Sequence, residues 1–217
     1  MTVRLPFADR AEAGRLLARE LRDGIPGRPL VLAIPRGGVE VGATLAAALS
    51  ADLDVVLARK LRAPHQPELA LGAVSEEGEV HLMDHAAAVP GATAEYIAAE
   101  RDRQLGEIAR RRAMYRAVRP AVPPAGRAVI LTDDGIATGA TMIAALRTVR
   151  AAGAAHVTVA VPVAPPERLA EVRRLCDRVV CLAAPEAFLA VGEFYRDFAQ
   201  VEDDRVVELL RAHAPAG

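Results

Sequence analysis

The sequence predicts an α/β fold, doubly wound around a mostly parallel sheet with helices on both faces. Short apolar runs alternate with amphipathic stretches along the chain, the pattern of strand–helix–strand units whose crossovers cover a sheet from both sides. The run Pro29-Leu-Val-Leu-Ala-Ile34 is continuously apolar, as expected of a strand buried on both faces. The 217 residues hold no internal repeat or low-complexity tract and fit one domain of ordinary size.

Taken in order, Asp9 is placed to cap a helix of about 10–22 with Ala13, Leu16, Leu17 and Leu21 on one side, since a carboxylate there accepts from the free N–H groups of the first turn. Pro35-Arg36-Gly37-Gly38 ends the first strand, and Val39–Leu49 reads as a helix. Leu53–Ala58 reads as a second buried strand, followed by a loop holding Pro64, His65, Gln66 and Pro67. Short runs near 69–74 and 79–82 fit a hairpin around Glu76-Glu77-Gly78. Thr93 to Arg116 is the longest helical stretch, acidic early and basic late, which complements a helix dipole. Its basic end (Arg110, Arg111, Arg112, Arg116) reads as a solvated terminus. After a Pro-rich connector at 120–126 come a strand at 128–132, a helix of about 140–151, a strand at 155–161, a helix near 166–175 and a strand at 178–182. An irregular tail precedes a last helix from about Asp203.

Composition excludes several classes. A 52% hydrophobic, 25% charged chain is globular and not disordered. With 27 basic and 28 acidic residues the net charge is −1, which argues against a general nucleic-acid binder without excluding a local basic patch. Trp is absent, with 3 Tyr and 4 Phe, too few for base-stacking platforms. The start shows no apolar leader before Asp9 and Glu12, and the longest uncharged stretch, Ala151 to Pro166, is broken by Gly153, Pro162 and Pro165. The expected location is therefore the cytosol, away from membranes. Cys176 and Cys181 have no nearby histidine to complete a zinc quartet and read as buried free thiols. Alanine occurs 46 times, and Lys60 is the only lysine among 26 arginines.

Chemistry concentrates in Val129-Ile-Leu-Thr-Asp133-Asp134-Gly135-Ile136-Ala137-Thr138-Gly139-Ala140-Thr141. An apolar strand delivers two adjacent carboxylates to its carboxyl end, where open α/β sheets bind ligands. Gly135 and Gly139 let the following turn approach a ligand closely. The N–H groups at the helix start, with the Thr138 and Thr141 hydroxyls, suit a phosphate dianion. The acids would repel that phosphate, so they belong beside it, on a ribose diol or an Mg²⁺. A Walker-type triphosphatase needs G-x-x-x-x-G-K-[ST] and a dinucleotide site needs G-x-G-x-x-G; neither occurs, and Ser50 and Ser75 lie outside any G-x-S-x-G.

The segment 133–141 resembles the PRPP-binding motif of type I phosphoribosyltransferases. Pro35-Arg36-Gly37-Gly38, Arg59-Lys60, residues 67–74 and 191–198 extend the likeness to a bacterial subgroup whose acceptor is unsettled, over roughly residues 8–212. The resemblance implies a single domain over 1–217, with a core at about 8–182, a flexible loop at about 61–80 and a hood at about 183–217. Asp133 and Asp134 would hold the ribose hydroxyls of PRPP and share an Mg²⁺. Gly135, Ile136, Ala137, Thr138, Gly139, Ala140 and Thr141 would wrap the 5′-phosphate. Arg36, Gly37 and Gly38 would form the pyrophosphate loop, and Arg59 and Lys60, each after an apolar strand, would reach the pyrophosphate.

The implied reaction is Mg²⁺-dependent 5-phosphoribosyl transfer from PRPP to a nitrogen nucleophile, a nucleobase or similar heterocycle, by a homodimer; the alternative is a PRPP- or nucleotide-sensing regulator on the same fold. Where 6-oxopurine members carry aspartate and lysine, this chain has Ala137 and Ala140, which argues against hypoxanthine or guanine. His65 is a candidate proton donor to pyrophosphate. Of the hood aromatics Phe188, Phe194, Tyr195 and Phe198, at least three are expected to pack in the core.

Overall fold

The computed structural model describes residues 4–22, 24, 25 and 27–213. The outermost residues of the domain reading, 1–3 and 214–217, lie outside the described residues, as does the start of the stretch read for a leader. Helices α1 (Arg10–Leu21) and α2 (Gly37–Leu49) flank strand β1 (Leu30–Ala33) and are followed by β2 (Asp52–Val55), β3 (Ala58–Ala63), β4 (Gln66–Ser75) and β5 (Val80–Leu82). The long helix α3 (Ala94–Arg116) leads to β6 (Ala128–Thr132), α4 (Ala140–Ala151), β7 (His156–Val163), α5 (Pro166–Arg173), β8 (Arg178–Ala183) and α6 (Asp203–Ala212). Asp9 caps α1 by accepting from the Glu12 N–H at 2.7 Å, and Thr93 caps α3.

The main sheet is five-stranded, ordered β2-β1-β6-β7-β8, and every pairing in it is parallel. Alternation along the strands divides the core in two. Val31, Ala33, Leu53, Ile130 and Ala160 face α1, α2, α3 and α6. Leu30, Leu32, Val129, Leu131 and Val159 face α4 and α5, meeting Leu146, Val149 and Leu169. Burying each large aliphatic side chain contributes about 1.5–3 kcal/mol, so both helical layers are held by the same strands.

The chain leaves β1 and β6 toward opposite faces, and these two strands are neighbours. A crevice opens at their carboxyl ends, the switch point where open α/β sheets receive ligands. Residues 35–38 and 133–139 both lie there.

Three expectations need correction. The apolar run Leu53–Ala58 is not one strand: β2 ends at Val55, and Ala58 begins a second, antiparallel sheet ordered β3-β4-β5. An apolar run carries no mark of the sheet it pairs in, so the two strands read as one. Arg59 and Lys60 consequently lie inside β3 and not at the end of a parallel strand. Secondly, the loop read at Pro64, His65, Gln66 and Pro67 is shorter than expected: its turn is confined to 64–65, Gln66 already begins β4, and β3 and β4 pair through register shifts around Arg62.

Thirdly, the basic end of α3 is not a solvated terminus. Arg116 pairs with buried Asp54 at 2.6 Å, and Arg110 and Arg111 reach Asp203 on α6 at 2.9 and 3.3 Å. Asp54 also accepts from the Val122 N–H at 2.9 Å, fastening the Pro-rich connector to the edge of the main sheet. No described helix is long and apolar enough to cross a membrane.

Candidate functional site

At the end of β6 the buried Thr132 hydroxyl donates to the Ala160 carbonyl at 2.7 Å, locking the last strand residue before the acid pair. Asp133 then folds back so that its Oδ1 accepts from the Asp134 N–H at 2.8 Å. The two carboxylates stay within hydrogen-bonding reach of each other but meet different further partners.

Asp133 looks into a cavity of about 220 Å³ that it lines together with Lys60, Gly135, Ile136, Ala137, Thr138, Gly139 and Thr141. Gly139, the residue before α4, has φ +83°, a left-handed conformation that costs a side-chain-bearing residue about 1–2 kcal/mol. No side chain caps the first turn of α4, so its N–H groups and helix dipole are available to an anion in the cavity.

Asp134 is not among the residues lining that cavity and instead faces the Gly37 turn. Its Oδ2 accepts from Arg10 Nε at 2.8 Å, and its side chain is only 15% exposed. Arg10 is buried; its Nη1 donates to the Ala199 carbonyl at 2.9 Å, and its guanidinium lies 3.9 Å over the Phe198 ring. Tyr195 donates its hydroxyl to the Asp134 carbonyl at 2.6 Å.

Burial raises the pKa of both acids. For Asp133 the neighbouring Asp134 charge adds to the rise, whereas for Asp134 the Arg10 charge and hydrogen bond oppose it.

The loop after β1 presses on the acids from the other side. A Cβ on Gly37 would collide with Asp134 Oδ2, and one on Gly38 would sit 2.8 Å from Asp133 Cα. Only glycine lets these two turns touch. The Pro35–Arg36 peptide is cis. Arg36 points along the crevice to Glu202, with Nη1 donating at 2.8 Å.

Lys60 and Arg59 separate across β3, because successive strand side chains face opposite ways. Lys60 meets the 135–141 loop in the cavity. Arg59 donates from Nε to Gln104 Oε1 at 2.6 Å, and Gln104 Nε2 in turn donates to buried Glu100 at 2.8 Å. Burial, then the nearby Arg111 charge, lowers the Arg59 pKa. Arg59 lines a small gap beside Pro35, Ile108 and Arg111, on the α3 side of the strand.

His65 sits exposed at the tip of the β3–β4 hairpin and does not line the cavity. Ala137 is exposed at the cavity rim, and Ala140 is buried in the first turn of α4. Phe7, ahead of α1, forms a contiguous ring cluster with Tyr195 and Phe198 of the tail, with centroids 5.4 and 5.1 Å apart. Phe194 lies tilted against half-buried Phe188 at 5.1 Å and packs on the same cluster. Three of the four hood aromatics therefore serve packing, as expected. Both cysteines are free, and burial raises their pKa, Cys181 to about 11.

Sequence reasoning missed Arg10. It occupies the first position of α1, where a cation opposes the helix dipole; that mismatch was the available signal that a tertiary partner holds it. A larger cavity of about 500 Å³ opens behind Arg10, but the charges lining it pair among themselves or with neighbouring residues, Arg10 and Arg205 with Glu40 and Glu202 with Arg36.

Comparison with known proteins shows the family of the chain. Residues 9–199 match the family model described as the phosphoribosyl transferase domain. Curated sequences from two strains of Mycobacterium tuberculosis, whose names contain the words phosphoribosyl transferase, are 45% identical over 208 residues, covering 95% of this chain. The chain spans 47% of the length of these relatives. The crystal structure of TT1426 from Thermus thermophilus superposes with a TM-score of 0.82 at 45% identity, covering 97% of this chain and 100% of that one.

Proposed function

Since the chain belongs to the phosphoribosyl transferase family, we propose that it transfers a 5-phosphoribosyl group from PRPP to a nitrogen nucleophile, a nucleobase or similar heterocycle, and releases pyrophosphate. The observation that carries this reading is the meeting of an uncapped helix start, the only lysine and a carboxylate in one cavity at the switch point. A phosphate dianion needs the first two and a ribose diol the third.

In this reading residues 135–141 hold the 5′-phosphate through backbone amides and the Thr138 and Thr141 hydroxyls. Asp133 and Asp134 orient the ribose hydroxyls. Lys60, and Arg36 once drawn from Glu202, meet the charge that grows on the departing pyrophosphate, where fixed cations act most strongly in a site shielded from water. Gly37 and Gly38 leave their backbone open to the same group.

The donor set fits Mg²⁺ held mainly by substrate. No cluster of three acidic, histidine or cysteine side chains able to hold a metal occurs among the described residues. Mg²⁺ commonly uses one or two carboxylates with substrate oxygens and water; Asp133, and Asp134 through its remaining oxygen, would supply these. Bound there, the ion offsets negative charge on the pyrophosphate. Ala137 offers no group for proton exchange at the acceptor, which favours acceptors other than 6-oxopurines. We place the protein in the cytoplasm as a homodimer.

Calorimetric titration with PRPP, with and without Mg²⁺, tests the reading. Binding that depends on Mg²⁺ and disappears in the Asp133→Asn/Asp134→Asn double variant is expected, followed by pyrophosphate release in a base-by-base screen. Undiminished affinity in a folded double variant would remove the acids from the site. PRPP binding without turnover on any base would favour the regulatory reading.

A further inference from the structure

The two carboxylates look alike in sequence but differ in their surroundings. Asp133 opens on the cavity, whereas Asp134 is clamped from outside by a residue 124 positions earlier in the chain. We infer that Arg10 is the positioning residue of the ribose site, holding Asp134 in one orientation while coupling it to the C-terminal tail. The inference rests on the proposed phosphoribosyl reading of this cavity and adds to it a residue from α1.

Every polar reach of Arg10 supports this role. Its Nε is given to Asp134 Oδ2 at 2.8 Å, its Nη1 to the Ala199 carbonyl at 2.9 Å, and Glu40 lies 3.7 Å from the same Nη1. The planar guanidinium also rests 3.9 Å above the Phe198 ring, a cation–π contact strengthened by burial. With Nε, Nη1 and the ring face all engaged, the side chain has one available orientation. An arginine fork can engage acceptors in different directions at once, which an ammonium on a flexible stem does not reproduce.

Two effects on a ligand follow. First, the Arg10 cation offsets part of the negative charge of the acid pair, which eases the approach of a sugar bearing phosphates. Second, Asp134 Oδ2 is committed to Arg10 and faces the backbone of Gly37, so a ribose hydroxyl must use the other oxygen. Its direction is then set by the α1–tail contact and not by the β6 loop alone. Tyr195, donating to the Asp134 carbonyl at 2.6 Å, steadies the backbone of the same residue from the tail.

The test compares two ligands that differ in the ribose, titrated without divalent metal: ribose 5-phosphate and inorganic phosphate. Arg10→Met keeps the unbranched stem as far as the position of Nε and removes the guanidinium charge and its donors. Ribose 5-phosphate affinity is expected to fall by about tenfold or more, the effect of losing a charge-assisted hydrogen bond, while inorganic phosphate binds as in the parent. Arg10→Lys should recover only part of the loss. In the Asp134→Asn background, adding Arg10→Met should cost little more, because both act through one carboxylate.

Equal weakening of both ligands would overturn the inference, since that is the mark of general loosening, and so would parent-like ribose 5-phosphate affinity in Arg10→Met. If Arg10→Met does not fold, Arg10→Gln, which keeps a neutral NH₂ donor group, is read by the same two ligands. Failure of the parent to bind ribose 5-phosphate or PRPP at all would overturn the phosphoribosyl reading together with the inference. Binding by the parent with no difference between variants would overturn the role of Arg10 alone.

Discussion

Residues 133–141 approach the cavity as one uninterrupted piece of chain at the end of β6, whereas the opposing side takes Lys60 from a strand of the other sheet, with Arg36 in the β1–α2 turn drawn aside to Glu202. The first wall depends on local geometry: a strand end, a left-handed glycine and a helix start. The second exists only when β3, α3 and α6 are assembled, with Arg59 tied to Gln104 and Glu100 and with Asp203 gripped by Tyr115, Arg110 and Arg111. A continuous wall is set by few residues and fails at its turns. An assembled wall is set by many and fails at its joints.

The joint between the walls gives the largest expected effect. Gly37→Ala would drive a methyl into Asp134 Oδ2, so PRPP binding should vanish and stability should drop by about 3 kcal/mol. Urea unfolding and calorimetry check it, and parent-like behaviour would mean the walls separate without consequence.

Within the assembled wall, Lys60→Ala and Arg59→Ala should behave oppositely. Lys60→Ala should weaken PRPP binding by about tenfold with little change in melting temperature. Arg59→Ala should lower stability by about 1–2 kcal/mol, leaving Gln104 Oε1 without its donor, and should weaken PRPP less than Lys60→Ala does. The reverse ranking would show that the register of β3 does not sort these side chains.

In the continuous wall, Gly139→Ala should cost about 1–2 kcal/mol by placing a side chain in a left-handed backbone, with a matching loss of affinity for inorganic phosphate. An unchanged phosphate titration would separate the turn from anion binding.

The smallest effect is an acid sensitivity confined to the assembled wall. Burial alone would raise the Asp203 pKa, but hydrogen bonds from Tyr115 and Arg110 and the charge of Arg111 lower it overall. A carboxylate depressed in the folded state stabilises fully above its unfolded pKa, about 3.9, and loses that contribution as pH falls through the folded value. Asp203→Asn should therefore be less stable than the parent at neutral pH, with the difference shrinking below about pH 4. Melting curves at a series of pH values would show this, and a constant difference would disconnect Asp203 from acid unfolding.

Legibility in the sequence follows the same division. Helix α1 with its Asp9 cap, β6, α4 and the 133–141 turn lie where local patterning predicted them, because caps, glycine turns and apolar runs act over a few residues. The division of 52–63 between two sheets was not readable, since Val55 and Ala58 satisfy either strand equally. Arg59 and Lys60 were adjacent basic residues of equal promise until β3 turned one to Gln104 and the other to the cavity.

The α/β class, the parallel core, the placement of acids and glycines at a strand end and the family likeness were determined by the sequence itself, through interactions that span a turn or one strand–helix unit. The second sheet, the opposite facing of Arg59 and Lys60, the ties of the α3 arginines to Asp54 and Asp203, and the hold of Arg10 on Asp134 were decided by tertiary structure. These contacts join residues up to 124 positions apart. Which distant partner a charged side chain meets depends on how whole elements pack, and no local pattern records it.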